Sequence, residues 1–169
     1  PNVLYTSETN AEETSSAYVN QFDTDGFTVG SANLSNASGG TYVAWNWLAG
    51  GTGVSNTDGT ITSTVSANTD AGFSIVAYDS DPTGTVGHGL SQTPELIIEK
   101  KRDTTGDWIV GTTVIDGSYD YLRLNTTAAK ANAAVTAPTS SVFTPNITGN
   151  SNIAYCFHSV EGYSTFGIY

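Results

Sequence analysis

Two glutamates in the stretch PELIIEKKR (94–102) are the first residues whose type and spacing could do chemistry. Glu95 and Glu99 share strand parity, and a pair of carboxylates held across a sugar ring is the machinery of glycoside hydrolysis. On a single strand that arrangement would place a third carboxylate between them, and Ile97 stands there instead. Glu99 runs into Lys100, Lys101 and Arg102, so the stretch reads as a salt-bridged solvent face. His88 in TVGHGLS and His158 in CFHSV are the only histidines, and neither has a Cys, Asp or His at metal-ligand spacing. A Ser–His–Asp site is assembled by folding, so spacing alone leaves it open, but no GxSxG elbow supports one. His88, set between two glycines, is expected to fix a turn or to meet a backbone carbonyl. No catalytic residue is nominated, and no cofactor.

Metal and sugar binding are the other chemistries in view. DTDG at residues 23–26 resembles the start of a calcium loop, but the twelfth position counted from Asp23 is Leu34, where an EF-hand needs a bidentate glutamate. Asp23 and Asp25 remain weak metal candidates, and a turn with Gly26 at positive φ is the preferred reading. Sugar-binding modules stack pyranose rings on exposed aromatics. Trp108, just after the DTTGD loop, and Tyr119 and Tyr121, beside DGS, are the candidates for such a loop-side platform. Burial in the core or at a subunit interface is the role preferred for all three. Cys156, the single cysteine, sits mid-strand and reads as a small core residue.

Composition narrows the classes. Five basic against sixteen acidic residues give a net charge of −11, which repels phosphate backbones and argues against nucleic acid as a partner. Charged residues are 12% of the chain, with Thr and Ser supplying roughly a quarter of it, a mixture suited to secreted or virion surfaces. The 11% aromatic content argues for a folded chain. No apolar run approaches the ~18 residues of a membrane span, and no signal peptide is apparent. The chain opens at Pro1, mid-pattern, and is read as a fragment or a processed chain.

Strand signals dominate the elements that must position these residues. Runs rich in Val, Ile, Tyr, Phe and Thr, bounded by Gly, Asn, Asp and Pro, occur at 26–31, 41–47, 72–78, 94–102, 107–115, 119–125, 141–144, 152–160 and 163–169. PELIIEKKRDTTGDWIV predicts a hairpin with Gly106 free to take positive φ. TAAKANAAV (127–135) is the best helical stretch, but it is short and lacks an apolar stripe. Strands with few helices between them predict an all-β antiparallel sandwich.

One strand is written twice. TYVAWNW (41–47) and SNIAYCF (151–157) match position for position, with Val43, Trp45 and Trp47 on the parity of Ile153, Tyr155 and Phe157. All four of Trp45, Trp47, Tyr155 and Phe157 are therefore expected in the core. Upstream, Phe27-Thr28 answers Phe143-Thr144, and GFSIVAY (72–78) is answered by GYSTFGIY (162–169). Residues 1–48 thus read as the back half of a repeat, 49–71 as a Gly/Ser/Thr-rich insertion, linker or long hairpin, and 72–169 as the main sandwich. Unpaired strands near both ends are expected to find partners, preferably in neighbouring chains.

TYVAWNWLAGG, TVGHGLSQTPELIIEKKRD, GDWIV, YLRLNTTAA and NIAYCFHSVEGYSTFGIY together resemble a repeated module of large tail-fibre-like virion proteins of marine bacteriophages. Those repeats are similar to concanavalin-like or laminin-G-like jelly rolls. Asn46 and Trp47 stand where that family often has Cys and Phe. The resemblance implies a jelly-roll-like sandwich and a non-catalytic structural or adhesion role on a virion fibre or surface appendage. It further implies a virion or extracellular location, and as partners other copies of the chain, other virion or filament subunits, or a host surface glycan. A free lectin-like domain and a subunit of another extracellular filament are the alternatives. None of these readings involves nucleic acid or membrane insertion.

Overall fold

The computed structural model describes residues 1–79, 83–149 and 151–168. The chain is an all-β antiparallel sandwich. Its strands are β1 (Asn2–Val3), β2 (Glu13–Thr14), β3 (Val19–Phe22), β4 (Phe27–Val29), β5 (Val54–Asn56), β6 (Ser63–Asn68), β7 (Phe73–Tyr78), β8 (Val86–Gly87), β9 (Leu96–Lys101), β10 (Ile109–Thr112), β11 (Asp120–Arg123), β12 (Ala131–Asn132), β13 (Val142–Phe143) and β14 (Asn152–Phe157). A single helical turn, α1 (Asn33–Asn36), follows β4. Eight strands form one sheet in the order β12-β11-β10-β9-β14-β7-β6-β5, and three two-stranded ladders, β1-β2, β3-β4 and β8-β13, flank it. The last strand of the chain, β14, is inserted at the centre, hydrogen-bonded antiparallel to β7 on one side and β9 on the other.

Alternation gives the sheet two unlike faces. On the closed face Val65, Val76, Tyr78, Ile97, Ala154 and Cys156 pack under Val86, Leu90 and Phe143 of the β8–β13 layer. Each large apolar side chain fully buried there contributes about 1.5–3 kcal/mol. This explains why β14 carries only Asn152, Ala154 and Cys156 on that side: all three are without solvent exposure, and the layer above leaves no room for more. The opposite, open face presents Phe73, Ile75, Leu96, Ile98, Ile153, Tyr155 and Phe157.

The predicted hairpin across residues 94–110 is present as β9–β10. The Gly/Ser/Thr-rich stretch supplies the β5–β6 hairpin at one sheet edge, with Ser63 and Val65 buried. Three local expectations fail, and the helical candidate stays extended. Residues 41–47 run as irregular chain, and the rings of Trp45 and Trp47 are 76% and 57% exposed, because no neighbouring strand lies beside this stretch to pair with it. Residues 163–168 are also irregular apart from one bridge between Val160 and Ser164; Tyr169 lies outside the described residues. The Ala-rich stretch 127–135 forms no helix, and its centre pairs with β11 as β12. Gly26 and Gly106 do not adopt positive φ; Gly106 instead sits against the aliphatic part of Lys101, where a Cβ would lie 3.1 Å from Cδ.

Candidate functional site

Glu99 is not on a solvent face. It projects into the closed side of the sheet with no solvent exposure. Tyr78 donates its phenol hydrogen to Oε2 at 2.8 Å, and Asn146 donates from its backbone N (3.1 and 3.2 Å to the two oxygens) and from Nδ2 (3.2 Å to Oε1). Asn146 Nδ2 also reaches the Tyr119 hydroxyl at 3.1 Å. Burial pushes the Glu99 carboxyl up to about 7 against the opposing pull of these donors. The same burial, with Glu99 adding to it, holds the Tyr78 and Tyr119 phenols and the Cys156 thiol in their neutral forms. Space for Tyr119 exists because its neighbour is Gly111, where a Cβ would lie 2.3 Å from the phenol oxygen. The network seals a polar knot inside the core.

Glu95 is half-buried and separate from this knot. Its Oε2 accepts the backbone N–H of Ser159 at 2.6 Å, so Glu95 and Glu99 form no acid–base pair. His88 is buried and behaves as expected of a turn residue: Leu90 N donates to Nδ1 at 3.1 Å, so Nε2 carries the hydrogen given to Thr139 O at 3.2 Å. His158 is buried, and its Nδ1 lies 2.8 Å from Ser159 O. Asp23 accepts from Gln21 and, at 2.9 Å, from Thr28 Oγ1, inside the β3–β4 turn. Asp25 is exposed beside it. Among the described residues no three His, Cys, Asp or Glu gather as a metal site.

The three aromatic candidates part company. Tyr119 is committed to the buried knot. Tyr121 lies under the guanidinium of Arg123, two residues along the same strand β11, with 5.4 Å from ring centroid to Cζ. Trp108 is 4% exposed and lines the open face, where its Nε1–H donates to Tyr5 O at 2.8 Å.

That open face forms an apolar groove of about 680 Å³. Ile75, Ile98, Ile153 and Tyr155 form its floor, with Leu124 and Trp108 at one margin. At the other end Trp47, Phe73, Phe157 and Phe166 cluster, with Phe73 and Phe157 centroids 4.8 Å apart and Trp47 edge-on to Phe157 at 6.1 Å. The N-terminal segment crosses the end of the sheet. Glu12 takes both Nε and Nη2 of Arg102 at 2.9 Å, Glu12 N bonds Arg102 O at 2.8 Å, and Thr9 O accepts from Gly106 N at 2.9 Å and from the buried Lys100 amine at 3.3 Å. The groove has an apolar floor and few polar rim atoms, so it suits apolar side chains better than a sugar's hydroxyls. Its signal in the sequence is the double-sided apolar character of ELII and FSIV, which no one-faced strand requires.

A second apolar surface lies on the N-terminal layer. Phe22, Leu34, Val43 and Trp45 are each about three-quarters exposed around an open concavity of about 570 Å³. Residues 26–57 contain no Asp, Glu, Lys or Arg in a chain whose net charge is −11. Exposed apolar surface concentrated in this way marks interaction sites.

Comparison with known families returns a match over residues 1–169 to a domain of unknown function, DUF7483. No curated protein and no solved structure matched the chain. Among the described residues no helix is long and apolar enough to cross a membrane.

Proposed function

The chain belongs to the DUF7483 family, and from that premise we propose that it is a non-catalytic structural or adhesion module of a virion fibre or similar surface appendage. The observation that carries this reading is the uncharged apolar surface of residues 26–57 on an otherwise strongly acidic chain. Copies carrying a net charge of −11 repel one another everywhere except where charge is missing, so this surface is where neighbouring subunits can meet. A hydrolase would be supported by paired carboxylates in a cleft. The carboxyl with a raised pKa, Glu99, is instead enclosed in the core and hydrogen-bonded to Tyr78 and Asn146. A lectin would be supported by amides and carboxylates converging on an aromatic platform, whereas the groove's aromatic and aliphatic lining carries only Asn2, Thr6 and Glu12 as polar side chains, and Glu12 is taken by Arg102.

The resemblance of the motifs to tail-fibre-like virion repeats supports a bacteriophage appendage as the setting, and a host surface glycan is the contact proposed for the assembled fibre. The test is immunogold labelling of intact particles with an antibody to the folded domain. Label along an appendage is expected. A domain missing from purified particles overturns the reading, and reducing-end release from a glycan panel that Glu95→Gln or Glu99→Gln abolishes replaces it with an enzyme.

A further inference from the structure

The two segments that lack strand partners are copies of two strands that are partners. Residues 41–47 repeat the side-chain pattern of residues 151–157, which contain β14. Residues 162–168 repeat the beginning of GFSIVAY, which contains β7: Gly162 answers Gly72, Tyr163 answers Phe73, Ser164 answers Ser74 and Gly167 answers Ala77. In the structure β14 and β7 lie side by side, antiparallel, with Phe157 opposite Phe73, Tyr155 opposite Ile75 and Ile153 opposite Ala77. Neither copy has such a neighbour. Among the described residues the backbone of 41–47 makes no ladder, and Val43, Trp45, Tyr163 and Ile168 are each more than two-thirds exposed.

We propose that residues 163–168 of one copy of this domain pair as an antiparallel strand with residues 41–47 of a second copy, in the register of β7 on β14. The proposal rests on the structural-module reading above and names its partner. The register puts Tyr163 opposite Trp47, Thr165 opposite Trp45 and Gly167 opposite Val43. It gives a ladder to the backbone of 41–47 and replaces the local turn bonds that Tyr163, Ser164 and Phe166 now make to Val160 and Ser159, and it covers the exposed rings of Trp45 and Tyr163. Both segments are free of charge, so the contact forms without bringing acidic groups of two copies together. Phe166 now rests on Phe157 at 5.7 Å, and its N–H donates to Ser159 Oγ at 3.1 Å. Pairing draws this segment away from Phe157 and leaves that end of the groove to Trp47.

The contact is head-to-tail, because the donated segment and the accepting segment are different parts of the domain. Such contacts propagate into rows unless the rotation closes a ring. The same pairing serves separate chains and consecutive copies along one longer chain. In an array, each domain would complete the partial sheet at the start of the next.

Engineered cysteines read the register directly, since paired strands bring Cα atoms within disulfide reach. Val43→Cys and Gly167→Cys are placed in separate chains. Both positions are exposed, and a Cβ at Gly167 meets nothing within 4 Å. Mixed under mild oxidation, they are expected to give about tenfold more mixed disulfide than Ala44→Cys with Gly167→Cys, which is one residue out of register and faces the other way. Cys156 is buried and takes no part. Sedimentation of the unmodified chain is expected to show self-association rising with concentration, and Trp45→Asp, at an exposed position, to return it to monomer. Equal mixed disulfide from both pairs, or a wild-type chain that stays monomeric throughout, overturns the proposal. Either failure leaves the appendage reading to be decided by particle labelling, which does not depend on which surfaces touch.

Discussion

The Tyr78 hydroxyl donates to Glu99 Oε2 at 2.8 Å between two strands that do not touch each other, β7 and β9, across the central strand β14. The bond ties the middle of the sheet together through its closed face, and its acceptor is a carboxyl raised from 4.5 to about 7 by burial. A folded state that holds a proton more tightly than the unfolded chain keeps the associated stability below about pH 4.5. It loses that stability as pH rises through about 7, a change on the order of 3 kcal/mol for this group. Denaturant melts from pH 5 to pH 8 are expected to show this decline. Glu99→Gln, which carries no charge to bury, is expected to flatten it. Parallel pH profiles for the two proteins would show that Glu99 is ionised without penalty.

Gly111 and Tyr119 test how tightly the knot is packed. A methyl group at position 111 would stand 2.3 Å from the phenol oxygen and 2.9 Å from Cζ. Gly111→Ala is expected to cost about 1–3 kcal/mol, the range for overpacking a filled core. Tyr119→Phe removes the nearer atom and leaves the ring, so the double variant should recover part of that loss. The single Tyr119→Phe change is expected to cost about 1 kcal/mol for the lost Asn146 bond. Additive losses in the double-mutant cycle would place the two residues apart.

Cys156 reports on the same region by its silence. The thiol has no solvent exposure, and burial beside Glu99 raises its pKa, which keeps it protonated and unreactive. Maleimide labelling of the native chain at neutral pH is expected to be negligible over hours. It should become complete in denaturant, with the labelling rate tracking global unfolding. Rapid modification of the native chain would mean that the β14 region opens locally.

The closed side of the fold was legible in the sequence because β7, β9, β10 and β14 carry their own instructions. Alternation, β-branched residues and a short DTTGD loop suffice to place them. Residues 41–47 carry the same instructions and yet stay out of the sheet, because a ladder needs a second strand and propensity alone cannot supply one. Glu99 was misjudged for a related reason. Its neighbours Lys100, Lys101 and Arg102 suggest a solvated surface, while Lys100 and Arg102 in fact turn to Thr9 and Glu12 of the N-terminal segment. Those partners lie some ninety positions away, beyond any local pattern. The groove is not legible locally: Trp108 reads as a buried residue beside the DTTGD loop, but its partner is the Tyr5 carbonyl of the N-terminal segment, about a hundred positions away.

Trp108 is the tie between that crossing segment and the sheet. Its Nε1–H donates to Tyr5 O at 2.8 Å, and its ring lies against the groove margin shared with Leu4 and Leu124. Trp108→Phe keeps most of the apolar contact and deletes the donor, leaving the Tyr5 carbonyl to seek water. The expected cost is about 1 kcal/mol. The Glu12–Arg102 pair, partly exposed to solvent, adds a second and weaker tie to the same segment. Loss of the indole bond should therefore act locally: amide exchange of residues 1–15 is expected to quicken several-fold, and proteolysis to begin there. The β7, β9 and β14 amides should stay protected, because their ladders and the closed face do not involve Tyr5. Unchanged exchange in residues 1–15 would show that the segment is held by Arg102, Lys100 and Gly106 without the indole bond, and equal loss of protection across the sheet would show that it is part of the core.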